Sequence, residues 1–128
     1  MSEPVWMNRE AAVAIQRELL ARFGGLDGIR DEGLLDSALN RPLHLHHCGD
    51  PGLFELAAAY AEGIVKNHPF FDGNKRAGFM LAYTFLAANG WQLESPEEDA
   101  VLQTLALAAG AIGAEEYSAW LEKSCSRR

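Results

Sequence analysis

The side chains of this chain best suited to act together on a substrate fall in nine residues, His68-Pro69-Phe70-Phe71-Asp72-Gly73-Asn74-Lys75-Arg76. His68 is matched to accepting a proton near neutral pH. Asp72 suits Mg²⁺, a hard cation that takes oxygen ligands and often relies on one or two protein carboxylates plus substrate phosphates. Gly73 and Asn74 form a turn, and Lys75 and Arg76 add two cations. If this turn opens a helix, unpaired N–H groups and the positive end of the helix dipole meet there, which favours a bound phosphate. The combination reads as phosphoryl or nucleotidyl transfer from a Mg²⁺-bound nucleotide.

Two helical patterns flank the stretch and must position it. Upstream, Leu53, Leu56, Ala57, Tyr60, Ala61 and Ile64 follow a helical period without a miss and deliver His68 at the C-terminal end. Asp50-Pro51 supplies the expected cap and first-turn proline of that helix. Downstream, residues from about Gly73 to Asn89 are apolar nearly all round, as expected of a central, buried helix. Burial of Phe70, and of Phe71 with it, is expected to anchor the loop and fix its polar neighbours.

The remaining chain reads as further helices. Asn8 caps a helix over 9–23 that turns Ile15, Leu19 and Phe23 inward and stops at Gly24-Gly25. Asp31 caps a short helix burying Leu34, Leu35, Ala38 and Leu39, with Pro42 marking its end. Residues 43–52 have no period and read as a loop. Ser95-Pro96-Glu97-Glu98 reads as a capping box opening a helix to about Ala109, and a last helix starts near Ala114. The tail 124–128 is expected to fray. Without a convincing period-2 segment, the fold class is all-α, about six helices around the central one.

Composition bounds the rest. With 128 residues, 48% hydrophobic and 23% charged, the chain reads as one globular domain over residues 1–128. A net charge of -7 argues against general nucleic-acid binding. The start MSEPVWMNRE lacks the features of a secretion signal, and no apolar run is long enough for a bilayer, so no membrane role is expected. Two cysteines, Cys48 and Cys125, give no disulfide framework and read as reduced thiols in a cytoplasm.

HPFFDGNKR resembles the active-site motif of the Fic/Doc superfamily, H-x-F-x-[D/E]-[G/A]-N-x-R, with His68, Phe70, Asp72, Gly73, Asn74 and Arg76 filling the specified positions. Arg22 to Pro42 is similar to the N-terminal signature of the death-on-curing (Doc) branch, and NKRAGFMLAYTFLAANG to its central helix. Position 75 bears on the branch. AMP-transferring Fic enzymes usually carry glycine there and a second arginine three residues after the first. This chain has Lys75 and Phe79, as Doc proteins do.

The resemblance implies a compact Fic/Doc bundle and a protein kinase that moves the ATP γ-phosphate to a Thr or Ser hydroxyl of translation elongation factor Tu, blocking translation. It gives His68 the role of general base and Asp72 that of Mg²⁺ ligand. Gly73, Asn74 and Lys75 form the anion cradle, from backbone N–H groups and the Asn74 amide. Lys75 and Arg76 neutralise the transferring phosphoryl group. It also implies a small Phd-like antitoxin whose C-terminal segment enters a groove between helices. The self-inhibitory motif of some relatives, [S/T]-x-x-x-E-[G/N], is missing: Glu32-Gly33 and Glu62-Gly63 follow Gly28 and Ala58 at that spacing. Inhibition in trans is therefore expected.

Two other readings stand beside the kinase: a Fic-type AMP transferase, disfavoured by Lys75 and Phe79, and an idle binding module that keeps only the fold. Secondary signals are weaker. His44, His46, His47 and Cys48 suit zinc chemically but lack the paired spacing of structural zinc sites, so a polar loop covering the site is the preferred reading. Arg22, Arg30 and Arg41 read as surface salt-bridge partners. Trp6, Trp91 and Trp120 read as core or rim packing.

Overall fold

A computed structural model describes residues 3–128. Six helices follow one another: α1 (Arg9–Phe23), α2 (Glu32–Cys48), α3 (Leu53–Asn67), α4 (Asn74–Ala88), α5 (Glu97–Ala109) and α6 (Ala114–Lys123). Two three-residue strands, β1 (Trp91–Leu93) and β2 (Cys125–Arg127), pair antiparallel with Trp91 opposite Arg127. The all-α class holds, with this small ribbon as its one addition among the described residues.

The core is centred on α3 and α4. Helix α3 buries nine residues, Leu56 to Ala61 and Gly63 to Val65, and α4 buries seven. Close approach explains both central glycines. A Cβ on Gly78 would meet Val65 Cγ1 at 2.8 Å, and one on Gly63 would meet the Ala38 Cα at 3.0 Å. Side-chain-free positions let α4 and α2 lie directly on α3.

Local signals set several ends. Asn8 Oδ1 accepts the Ala11 amide at 2.9 Å, and Asp31 Oδ1 accepts the Leu34 amide at 2.9 Å, both as capping predicts. Gly24 ends α1 by donating to the Leu20 carbonyl at 2.7 Å.

Tertiary packing overrides the sequence elsewhere. Helix α2 does not stop at Pro42; it runs to Cys48 with Pro42 buried inside it, and residues 43–48 are helix rather than loop. The missing proline N–H costs one backbone bond. Burial of the ring offsets it, as does docking of the last turns, where His46 meets Trp6 edge-on at 5.3 Å and Glu3 Oε1 at 3.3 Å. None of residues 43–52 borders the main cavity, so this segment does not cover the site. The cap of α3 is Gly52, whose amide donates to Glu55, and not Asp50. Ser95 forms no capping box: Pro96 is the cap of α5, and Ser95 Oγ donates to the Pro96 carbonyl. The tail is paired instead of frayed, with the Arg128 amide donating to Gly90 at 3.0 Å. In α1, Ala12 and Gln16 turn inward, while Phe23 is 55% exposed.

Candidate active site

The loop from His68 to Gly73 joins the end of α3 to the start of α4. Phe70, 1% exposed, is its anchor. Asn74 clamps it from within: its Oδ1 accepts the Phe70 amide at 3.1 Å and its Nδ2 donates to the Phe70 carbonyl at 3.0 Å. The Asn74 side chain is buried, and both its amide oxygen and its amide nitrogen are engaged with Phe70. Phe71 is not an anchor; it is 51% exposed at the rim.

The N-terminus of α4 is open. Its cap, Gly73, takes the left-handed region at φ 79 and has no side chain to bond the first turn. Among the described residues, no bond from the Asn74, Lys75 or Arg76 amide to a capping side chain or to backbone outside the helix is present. Three N–H groups and the helix dipole therefore face outward together. They border a cavity of about 620 Å³, whose walls include His68, Asp72, Lys75 and Arg76. The chain is acidic, yet Arg22, Lys75 and Arg76 face this space against Asp72 and Glu97. Apolar lining comes from Met80, Val101 and Leu105.

His68 caps α3 at φ 51 and ψ 55, the one non-glycine residue of positive φ among those described. Asp72 is held by the turn after α1: its Oδ2 accepts the Leu26 amide at 2.7 Å, and Gln16 Nε2 donates to its carbonyl at 3.2 Å. Arg76 is stacked on Phe23, with 4.1 Å from guanidinium carbon to ring centroid.

No group of three His, Cys, Asp or Glu side chains that could hold a metal occurs among the described residues. One carboxylate beside an uncapped helix N-terminus is the donor set of a cation that arrives with substrate phosphates, and Asp72 fits that role. The same observation gives no support to zinc at His44, His46, His47 and Cys48, which lie on the last turns of α2.

A family model described as Fic/DOC family matches residues 6–86. The chain belongs to the Fic/DOC family. It is 45% identical over 73 residues to "Toxin Doc" of Mycolicibacterium smegmatis (strain ATCC 700084 / mc(2)155), a match covering 56% of this chain and 56% of that protein. It is 33% identical over 90 residues to "Protein kinase doc" of Escherichia phage P1, covering 69% of this chain and 71% of that one. The chain thus matches little more than half the length of the first relative.

In this Fic/DOC chain, His68, Asp72, Gly73, Asn74, Lys75 and Arg76 border one cavity, with the Asn74 amide bonded to Phe70. Sequence reasoning missed four contributors. Gly25, at φ 123, admits Asp72, since a Cβ there would stand 3.1 Å from the Asp72 Cβ. Gln16 and Phe23 looked like the two faces of an ordinary amphipathic helix, and no local pattern marked them. Arg30 makes no salt bridge among the described residues; it binds the end of α3 instead. Arg22 and Arg41 do pair with carboxylates, Glu18 at 3.8 Å and Glu62 at 2.8 Å. No helix among the described residues is long and apolar enough to cross a membrane.

Proposed function

We propose that this chain is a Doc-type toxin, a protein kinase that moves the γ-phosphate of ATP to a Thr or Ser hydroxyl of elongation factor Tu in the cytoplasm and so blocks translation. The observation that supports it most is the open first turn of α4, Asn74 to Arg76, set in one cavity with His68 and Asp72. Relatives named a toxin and a protein kinase support the class of activity.

Each residue has a task that the local geometry allows. His68 takes the proton of the attacking hydroxyl as the new oxygen–phosphorus bond forms and ADP leaves. The Asn74, Lys75 and Arg76 amides hold phosphate oxygens, and the Lys75 and Arg76 side chains offset the charge on the transferring group. Phe23 keeps the Arg76 guanidinium at the mouth of the cavity. Asp72 would hold a Mg²⁺ ion that arrives with the nucleotide, which would supply charge neutralisation at the phosphates. Asn74, through Phe70, fixes the loop.

AMP transfer is the second reading. Phe79, tilted against Tyr83 and Trp120 at 6.3 Å from each, supplies no second cation for an α-phosphate at the cradle. An antitoxin peptide of the Phd kind is proposed for the apolar surface of α5, where Val101 is 50%, Leu102 64% and Leu105 44% exposed. The test of the enzyme reading is growth arrest on expression: His68→Ala and Asp72→Ala each relieve it. Arrest undiminished in both variants, at equal protein level, leaves only an idle binding module.

A further inference from the structure

We infer that Arg30 is a positioning residue for His68, an inference that rests on reading His68 as the base. A histidine in the left-handed region costs free energy that glycine avoids, and such a residue persists only where its surroundings determine it. His68 terminates α3, so its carbonyl and that of Asn67 lack intrahelical donors and carry the negative end of the helix dipole.

Arg30 meets both. Its Nε donates to the His68 carbonyl at 2.7 Å and its Nη2 to the Asn67 carbonyl at 3.0 Å. The same residue is fixed through its main chain. The Arg30 amide donates to the Pro69 carbonyl at 2.7 Å, the Asp31 amide to the same oxygen at 3.1 Å, and the Phe71 amide returns to Gly28 at 3.2 Å. Ile29 bridges Phe70 in antiparallel register between them. The segment Gly28–Asp31 is thus a short splint along Pro69–Phe71, and the guanidinium is its clasp on the residue before. Two carbonyls held by one planar fork determine the peptide on either side of the His68 Cα, and so the direction in which the imidazole leaves the backbone. A lysine has the charge without the fork. Arg30 touches no reacting group; it acts through His68.

The experiment compares the full-length protein with Arg30→Ala and Arg30→Lys. It measures kcat and the KM for ATP in γ-phosphate transfer to elongation factor Tu. It also records the His68 backbone by NMR, through its ¹³Cα shift and its amide–Hα coupling, with thermal unfolding as the fold check. The expected result for Arg30→Ala is a fall in kcat of about 10- to 100-fold with KM for ATP little changed, the loss typical of a slightly misplaced group. Millimolar guanidinium restores part of that kcat, Arg30→Lys lies between, and the His68 signals shift toward averaging. If Arg30→Ala does not fold, Arg30→Lys carries the comparison. Wild-type kcat and unmoved His68 signals in a folded variant overturn the inference. So does a loss that follows the unfolded fraction and does not respond to guanidinium. If the wild type transfers no phosphate, the kinase reading fails, and the His68 signals alone decide whether Arg30 positions that residue.

Discussion

The His68 amide donates to the Ile64 carbonyl at 3.1 Å although His68 itself has left the helix for φ 51. This is how a glycine usually ends a helix, in the left-handed conformation with a backward bond to the last turn. A histidine there gives up stability to bring an imidazole to the cavity.

The trade can be measured. His68→Gly and His68→Ala are both expected to be inactive, but they differ in stability. The glycine variant is more stable than the alanine variant by about 1 kcal/mol, because only alanine retains the left-handed penalty. Urea unfolding of the pair decides it. Equal midpoints show that position 68 is unstrained.

Gly78 gives a prediction of opposite sign. In an exposed helix, alanine in place of glycine helps by roughly 1 kcal/mol. Here the added methyl meets Val65 Cγ1 at 2.8 Å and the Ala61 carbonyl at 3.1 Å, with backbone on one side and a branched core residue on the other. Gly78→Ala therefore destabilises by about 1–3 kcal/mol net. A rise in the thermal midpoint contradicts the close packing of α4 on α3.

The proposed antitoxin surface is tested at Leu102, which is 64% exposed and does not border the cavity. Burying such a side chain in a complex is worth about 1.5–3 kcal/mol. Leu102→Asp accordingly weakens binding of the antitoxin's C-terminal peptide at least tenfold by calorimetry, with the unfolding midpoint unmoved. Unchanged affinity places the peptide elsewhere.

The two thiols separate by environment. Burial pushes the Cys125 thiol up to about 11, whereas Cys48 is exposed. The folded state therefore holds Cys125 as the protonated, unreactive form until the pH approaches that value. At pH 8 Cys125 is held as the thiol, so iodoacetamide labels Cys48 ahead of Cys125. Peptide mapping after brief labelling shows the order; equal labelling contradicts a closed β1–β2 ribbon over Cys125.

What was legible in the sequence was what is local. The caps Asn8 and Asp31 and the period of α3 depend on residues a few positions apart, and each is found as read. The losses are long-range. Pro42 ends a helix unless its ring is buried and the turns beyond it dock, and the partners that dock them, Glu3 and Trp6, lie some forty residues earlier. Strands of three residues carry no period to detect; β1 and β2 exist because Trp91 and Arg127 are brought together by the helices between. Arg30 looked like any surface arginine, since its target is a pair of carbonyls 37 and 38 residues away. Asn74 is the subtler case: its place in the motif was visible, but not that its amide is turned on Phe70.

Which phosphate is transferred at the open first turn of α4 separates the kinase from the AMP transferase. Purified protein is given ATP labelled at either the α or the γ position, together with elongation factor Tu and Mg²⁺, and label on the acceptor is counted after denaturing electrophoresis. A Doc-type kinase puts γ label on the acceptor and none from α, and the signal is lost in His68→Ala. Label from the α position, or γ label that survives His68→Ala, contradicts it.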